Sequence, residues 1–203
     1  MYARVASFEE RDPSLTDQLI QRAREQGPAS VPGAKGFLGL VDRERGTSLS
    51  ITFFDSEEEI RDSAQAFEDM AKQFPEEMRG RRKSVDAYEV TIFEGDPESA
   101  KAARVSSLEG SPEGLDESLD KIKAETVPQV REVEGNVGMI GLADRTSGRV
   151  IAITLWESDD ALGRSEEQAN NIRAQAAKIG GQQIGSVDRY SVGIAQQLSG
   201  VRA

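Results

Sequence analysis

The sequence predicts an α+β protein built from two copies of one βαββαβ unit, each a four-stranded antiparallel sheet with both helices on one face. Three observations predict it. The 203-residue chain matches itself at an offset of 102, where Gly36, Gly39, Leu40, Asp42, Arg43 and Gly46 fall on Gly138, Gly141, Leu142, Asp144, Arg145 and Gly148. The same register carries Ile51, Thr52 and Ser56 onto Ile153, Thr154 and Ser158, and SVDAYEV at 84–90 onto SVDRYSV at 186–192. Near the start, ARVASFE at 3–9 meets ARVSSLE at 103–109 at an offset of 100, so two residues of length change lie between the first strand and the repeated turn. A period this long is the size of a domain and does not fit a solenoid.

Residues 2–9 alternate as a strand, with Tyr2, Arg4, Ala6 and Phe8 on one face and Ala3, Val5 and Ser7 on the other. Ser14 is expected to cap a helix whose apolar positions Leu15, Leu19 and Ala23 recur at helical spacing, and Pro28 and Pro32 to end it. Strands at 36–42 and 48–55 flank the turn DRERG, where Gly46 supplies a positive φ. Ser56-Glu57-Glu58-Glu59 reads as a capping box that opens a second helix. Its buried stripe is Ile60, Ala64, Phe67, Ala71 and Phe74, and Pro75 follows. The basic run Arg79 to Lys83 is assigned to a loop, and 84–93 to the fourth strand.

The second copy repeats this order. Its strands are expected near 102–109, 137–144, 149–156 and 186–195, and its helices near 115–127 and 159–179. Leu162, Ser165, Ala169, Ile172, Ala176 and Ile179 share one face of the last helix. The polar stretch 94–98 is the linker, so the repeats span 1–95 and 101–203.

The third strand says how each sheet is covered. Leu49, Ile51 and Phe53 point one way and Thr52 and Phe54 the other; in the second copy Ile151, Ile153 and Leu155 oppose Ala152, Thr154 and Trp156. Both faces are apolar and both must be buried. Helices cover one, and the duplicate sheet is expected to cover the other. These are two ferredoxin-like repeats whose antiparallel sheets pack together. The chain is therefore expected to be complete as a monomeric pseudo-dimer, with a further homodimer optional.

Composition removes several classes of function. A net charge of −11 argues against a nucleic-acid partner, which needs clustered Lys and Arg. With no Cys and no His, thiolate sites, the commonest metal ligand, the usual general base and the usual haem ligand are all missing. No metal and no cofactor is expected. No apolar run approaches the roughly 18 residues that cross a bilayer. The N-terminus lacks a signal-peptide layout, and a cytoplasmic protein is expected.

The candidate site residues recur in pairs. Trp156 and Phe54 sit at equivalent strand ends on the helix-facing side, where they either stack on a flat ligand or serve as core. Ser63 and Ser165 lie beside the buried helix stripes; each either bonds the carbonyl one turn back or leaves room for a ligand. Arg4 and Arg104, central in the first strands, need partners, for which Asp86 and Asp188 are candidates. The alternative for these arginines is to bind a ligand carboxylate or enolate. Tyr88 and Tyr190 recur as well, and a Tyr hydroxyl can act as a general acid or satisfy a local acceptor. Asn170 has no matching Asn in the first copy, where Glu68 stands, so the halves need not be functionally equal. Acidic runs at 57–59 and 159–160 belong to helix first turns, where negative charge is favoured.

The stretch Trp156-Glu157-Ser158-Asp159-Asp160-Ala161-Leu162 resembles the strand-to-helix passage of the antibiotic biosynthesis monooxygenase branch of the dimeric α+β barrel superfamily. The resemblance covers nearly the whole chain as a tandem fusion. It implies an intramolecular barrel with a cavity between sheet and helices, used in that branch for cofactor-free oxygenation of aromatic polyketides or for haem breakdown. Many members carry His nine residues after the Trp; here that position is Ser165, with Ser63 as its counterpart, which speaks against haem. A small aromatic or hydrophobic ligand is expected, held by Trp156, Ser165, Asn170, Phe54, Ser63, Arg4 and Tyr88, with Arg104 and Tyr190 as the candidate catalytic pair. The alternative is a non-catalytic ligand-binding or interaction module of the same fold.

Overall fold

Local chemistry accounts for the repeated turn. In a computed structural model that describes residues 1–10, 12–26 and 30–203, Asp42 Oδ1 accepts the backbone N–H groups of Glu44 and Arg45, each at 3.0 Å. Asp144 Oδ1 accepts those of Thr146 and Ser147 at 2.9 and 3.2 Å. An aspartate that bonds its own backbone in this way closes a turn without help from elsewhere. Gly46 and Gly148 complete the two turns at φ of 62° and 75°, where a side chain would be strained. The next repeated residue ties the turn to the first helix of its copy: Arg43 pairs with Asp17 at 2.6 Å, and Arg145 pairs with Asp116 and Glu89.

In chain order the elements are β1 (Tyr2–Glu9), α1 (Thr16–Gln26), β2 (Gly36–Asp42), β3 (Thr47–Phe54), α2 (Glu57–Asp62), α3 (Ala64–Lys72), α4 (Glu76–Arg79) and β4 (Arg81–Gly95). There follow β5 (Ala102–Glu109), α5 (Leu115–Lys121), α6 (Val127–Arg131), β6 (Asn136–Asp144), β7 (Arg149–Trp156), α7 (Asp159–Arg164), α8 (Glu166–Ile179) and β8 (Gln183–Gln196). This is the βαββαβ order written twice. Hydrogen bonds link the strands in the cyclic order β1-β3-β2-β8-β5-β7-β6-β4, a closed eight-stranded barrel of antiparallel pairs.

By compactness the chain divides into unit 1, residues 1–88 with 191–201, and unit 2, residues 89–190 with 202–203. The divisions fall inside β4 and β8, because each of these strands is long enough to serve two sheets. In unit 1 the last part of β8 pairs with β2, from Phe37 opposite Gln196 to Val41 opposite Ser191. In unit 2 the last part of β4 pairs with β6, from Glu89 opposite Ala143 to Gly95 opposite Gly138. Each ladder slips by one residue at the same place in the repeat, leaving bulges at Thr91 and Gly193.

Both faces of the third strands are buried, as the apolar pattern requires. Leu38, Ile51 and Phe53 in unit 1 and Ile140, Ile153 and Leu155 in unit 2 are wholly inaccessible. On the helix-facing side, Phe54 packs with Val31, Ile60 and Phe67, and Trp156 packs with Ala102, Val133, Ala161 and Leu162. Ser56 and Ser158 cap α2 and α7, each hydroxyl accepting a backbone N–H three residues on at 3.1 Å. Among the described residues no helix is long and apolar enough to cross a membrane.

Several local expectations are corrected. The first cap is Asp12, which accepts the Ser14 N–H at 2.8 Å; Pro13, needing no donor, takes the first position of a short 3₁₀ turn that leads into α1. The expected helix end at Pro28 lies outside the described residues. The helices after β3 and β7 each break at a serine, and in unit 1 the break shifts the phase so that Ser63 is buried and Ala64 exposed. A further turn, α4, follows Pro75. Arg81 to Lys83 begin β4 and are not a loop: Arg81 pairs with Glu9 and Glu10, and Arg82 with Glu68. The helix expected to stop at 127 runs to Arg131 through a π turn at Ile122–Thr126, where the Val127 N–H reaches the Ile122 carbonyl. Pro128 offers no N–H and crowds the carbonyl four residues back, and a widened turn relieves both.

Candidate functional site

Arg4 and Arg104 occupy equivalent places, at the centre of β1 and β5, opposite Thr52 and Thr154 in the register. Their surroundings differ. In unit 2 Arg104 is 1% exposed and is held through both terminal nitrogens, while its Nε is buried without a hydrogen-bond partner among the described residues. Its two terminal nitrogens each lie 3.2 Å from Ser165 Oγ, and Nη2 also donates to the Leu162 carbonyl at 2.8 Å and to the Glu166 carboxylate at 2.9 Å. Glu166 takes a second arginine, Arg189, at 2.5 Å. Ser165 does two things at once, since its hydroxyl also donates to the Leu162 carbonyl at 2.7 Å. The guanidinium carbon of Arg104 stands 5.4 Å from the centre of the Trp156 ring, whose N–H donates to Thr154 Oγ1 at 3.1 Å.

Beside this cluster is a small cavity of about 70 Å³, lined by Arg104, Ser106, Thr154, Trp156, Ile172 and Arg173 among others. Arg173 is also engaged, donating to Ser106 Oγ at 3.0 Å and Asn170 Oδ1 at 2.7 Å. Burial pushes Arg104 below the ordinary arginine value, and Glu166 opposes that. Desolvation raises the Glu166 carboxyl, but Arg104 and Arg189 outweigh it and hold the group below the usual carboxylate range. The ion pair therefore stabilises the fold above the unfolded value of 4.5, and that contribution is lost as the pH falls through the lower folded value. Glu166→Gln is expected to cost about 1 kcal/mol near neutrality, modest because Glu166 is partly exposed. Thermal unfolding of both proteins should show that difference shrink as the pH is taken below 4.5.

In unit 1 Arg4 is 7% exposed, and among the described residues its guanidinium has neither a hydrogen bond nor an ion pair. It lies 3.8 Å over the ring of Phe67 instead. Comparing the copies explains the difference. The helix break reads Ser63-Ala64 in one and Ser165-Glu166 in the other, so the carboxylate is missing; four residues after each serine stand Phe67 and Ala169, so the stacking ring is present only in unit 1. Ser63 still donates to the carbonyl one turn back, Ile60, at 2.8 Å. Burial first, and then Arg82, push Arg4 down to about 10, with Glu68 acting against them. Arg4 thus remains charged at neutral pH.

Arg4 faces a cavity of about 160 Å³ held between the sheet and helices of unit 1. Leu19 and Ile20 of α1, Phe37 of β2, and Phe67, Met70 and Phe74 supply most of its wall. Two more arginines line it. Arg82 is paired with Glu68 at 2.6 Å, and Arg79 donates to the Phe74 and Lys72 carbonyls at 2.8 and 3.1 Å. Among the described residues no Asp or Glu belongs to the wall. A protein of net charge −11 thus places a positive apolar chamber in one half.

The structure sorts the sequence-predicted residues. Arg4 lines the larger cavity, and Arg104 and Trp156 line the smaller. Ser165 binds Arg104, whereas Ser63 and Phe54 are buried outside both walls, Phe54 meeting Phe67 edge-on at 6.4 Å. Asn170 is exposed and holds Arg173. Tyr88 and Tyr190 belong to neither wall. The strand aspartates are not the partners of the two arginines: Arg104 reaches Glu166 in place of Asp188, and Arg4 reaches Phe67 in place of Asp86. Sequence reasoning missed Glu166, Arg79, Arg82 and Arg173. For Glu166 the signal was present, since it falls on Ala64 in the repeat register.

No model of a known protein family matches the chain. The uncharacterized protein Rv2557 of Mycobacterium tuberculosis is 25% identical over 190 residues, covering 91% of this chain and 84% of that protein. Among solved structures, an anthrone oxidase-like protein aligns with a TM-score of 0.67 at 17% identity, over 94% of this chain and 90% of that one. A ferredoxin-fold protein from Listeria monocytogenes, related to antibiotic biosynthesis monooxygenases, aligns with a TM-score of 0.54 at 14% identity, over 94% of each chain. At these identities the structural likeness concerns the fold.

Proposed function

We propose that unit 1 binds a flat apolar molecule and oxygenates it with dioxygen alone, a reading supported by the eight-stranded barrel of two fused repeats and by its likeness in fold to an anthrone oxidase-like protein and to a ferredoxin-fold protein related to antibiotic biosynthesis monooxygenases. The observation that carries this is the cavity of about 160 Å³ with an apolar wall and a buried arginine that no carboxylate meets among the described residues. The geometry suits a substrate whose C–H becomes acidic next to an aromatic carbonyl. Arg4 would stabilise the oxygen of the resulting enolate, and stabilisation is greatest where water is excluded. The carbanion gives one electron to dioxygen, and the two radicals combine to a peroxide. Loss of water then leaves a carbonyl where a CH₂ stood, with one oxygen atom in the product and one in water. The described wall contains no carboxylate to take the proton, so the proton leaves to solvent as the anion forms. The protein's part is to bind, orient and hold charge.

The same wall favours a second reading, retention of a ligand without turnover, because its described residues offer arginines and serines but no general base. An oxygen electrode separates the two. With an anthrone as substrate, uptake above the buffer control is expected, one dioxygen per quinone formed. Binding of the anthrone by calorimetry with no uptake above the control would leave retention as the function.

A further inference from the structure

The two arginine sites are one site in two states, and position 64 with its counterpart 166 sets the state. We propose that Glu166 is an internal anion that fills the unit 2 site, and that Ala64 leaves the equivalent place open in unit 1 for the oxyanion of an aromatic ligand. The inference rests on the unit 1 cavity being a ligand site and names the chemistry of what enters it.

Four observations support it. Arg104 and Arg4 share a strand position, a cross-strand threonine and a serine at the neighbouring helix break. Arg104 meets a carboxylate at 2.9 Å, while Arg4, more than nine-tenths buried, meets none among the described residues. Thr52 Oγ1, cross-strand from Arg4, is buried without a partner among the described residues, whereas Thr154 accepts the Trp156 N–H. Finally, the volume follows the charge, at about 160 Å³ where the carboxylate is absent and about 70 Å³ where it is present. A buried cation without a counter-charge is costly, and a fold that keeps one next to an apolar chamber is suited to a ligand that brings the charge with it. The charged groups around Arg4 are Arg82, Arg79 and Glu68, and Glu68 is already held by Arg82. The ligand class is a flat aromatic ring system bearing one ionised oxygen group, able to lie against Phe37 and Phe67 while its oxygen atoms accept from Arg4.

Calorimetric titration of the full chain with 1-naphthoate and 2-naphthoate, each against its neutral amide, tests this. One equivalent is expected to bind, with at least one acid favoured over its amide by about tenfold or more. Ala64→Glu is expected to reduce acid binding about tenfold and leave amide binding within about twofold, because an internal carboxylate then competes for Arg4. If acids and amides bind equally, or if folded Ala64→Glu keeps full acid affinity, the inference is overturned while the cavity stands. If none of the four compounds binds, the cavity reading falls and this inference with it. Should Ala64→Glu not fold, Glu166→Ala serves instead. Acetate, more than chloride at equal ionic strength, is expected to raise its unfolding temperature, and by more than it raises that of the parent, whose one open site is at Arg4; equal response to both salts overturns the inference.

Discussion

Trp156→Ala is expected to destabilise the protein by about 3–5 kcal/mol, with ligand binding in unit 1 preserved in the fraction that stays folded. The indole is 1% exposed and sits among Ala102, Val133, Ala161 and Leu162. Truncation removes the largest buried side chain of unit 2, deprives the Thr154 hydroxyl of the indole N–H that donates to it, and takes a ring from beside the Arg104 guanidinium. The space left behind would join the small cavity already present there, and a site that cannot collapse gives the upper part of the range. Urea unfolding with an unchanged slope checks the stability, and titration with the naphthoates checks the binding. A variant that keeps its stability and loses its ligand would move the functional site into unit 2. That outcome would overturn the assignment to unit 1.

Why the architecture could be anticipated is clear from the repeated turn. Asp42 and Asp144 close it with their own backbone neighbours, and Gly46 and Gly148 supply the conformation no other residue takes cheaply. Such short-range chemistry is written in adjacent letters, and two copies of it announce a duplication. The alternation of Leu49 to Phe54 and of Ile151 to Trp156 showed that each sheet is buried on both faces, and the closed barrel is how that requirement is met. What escaped were places where a single side chain overrides a period. Ser63 and Ser165 interrupt helices that the apolar spacing draws as continuous, and the helix expected near 115–127 runs on past Pro128 through a π turn.

The site was legible by residue type and illegible by partner. Arg4, Arg104, Trp156 and Ser165 were all identified, yet the expected aspartates sit on the strands, and the carboxylate that Arg104 meets comes from α8. Sequence spacing places side chains on a face; it does not say how far a guanidinium reaches across to a helix. Glu166 is the first residue of α8, directly after the break at Ser165, and from there its carboxylate meets Arg104 at 2.9 Å. The difference between the halves was sought at Asn170 and Glu68. The surroundings of the two arginines differ as well at residues 64 and 166, and at 67 and 169, where the repeat register pairs Ala with Glu and Phe with Ala.

Arg4→Met is expected to raise stability by about 1–3 kcal/mol and to abolish the preference for acids over amides. Two effects compete at this residue. Stacking of the guanidinium on Phe67 at 3.8 Å contributes up to about 2 kcal/mol. Against that stands the desolvation of a cation that no carboxylate meets among the described residues, which costs several kcal/mol even after relaxation. Desolvation outweighs stacking, so removing the charge stabilises. Methionine keeps the length and the contact with the ring while removing that charge. The pH dependence provides an independent check. Burial holds Arg4 at about 10, below its unfolded value, so the folded protein carries the penalty at neutral pH and sheds it as the pH rises above 10. The advantage of Arg4→Met should therefore be full near neutrality and decline in strongly alkaline solution. Arg104→Met should have the opposite sign, losing about 1–3 kcal/mol, because it breaks four hydrogen bonds and leaves Ser165, Leu162 and Glu166 without their shared donor. Opposite signs at two positions that the duplication once made identical would separate a half adapted for binding from a half adapted for stability.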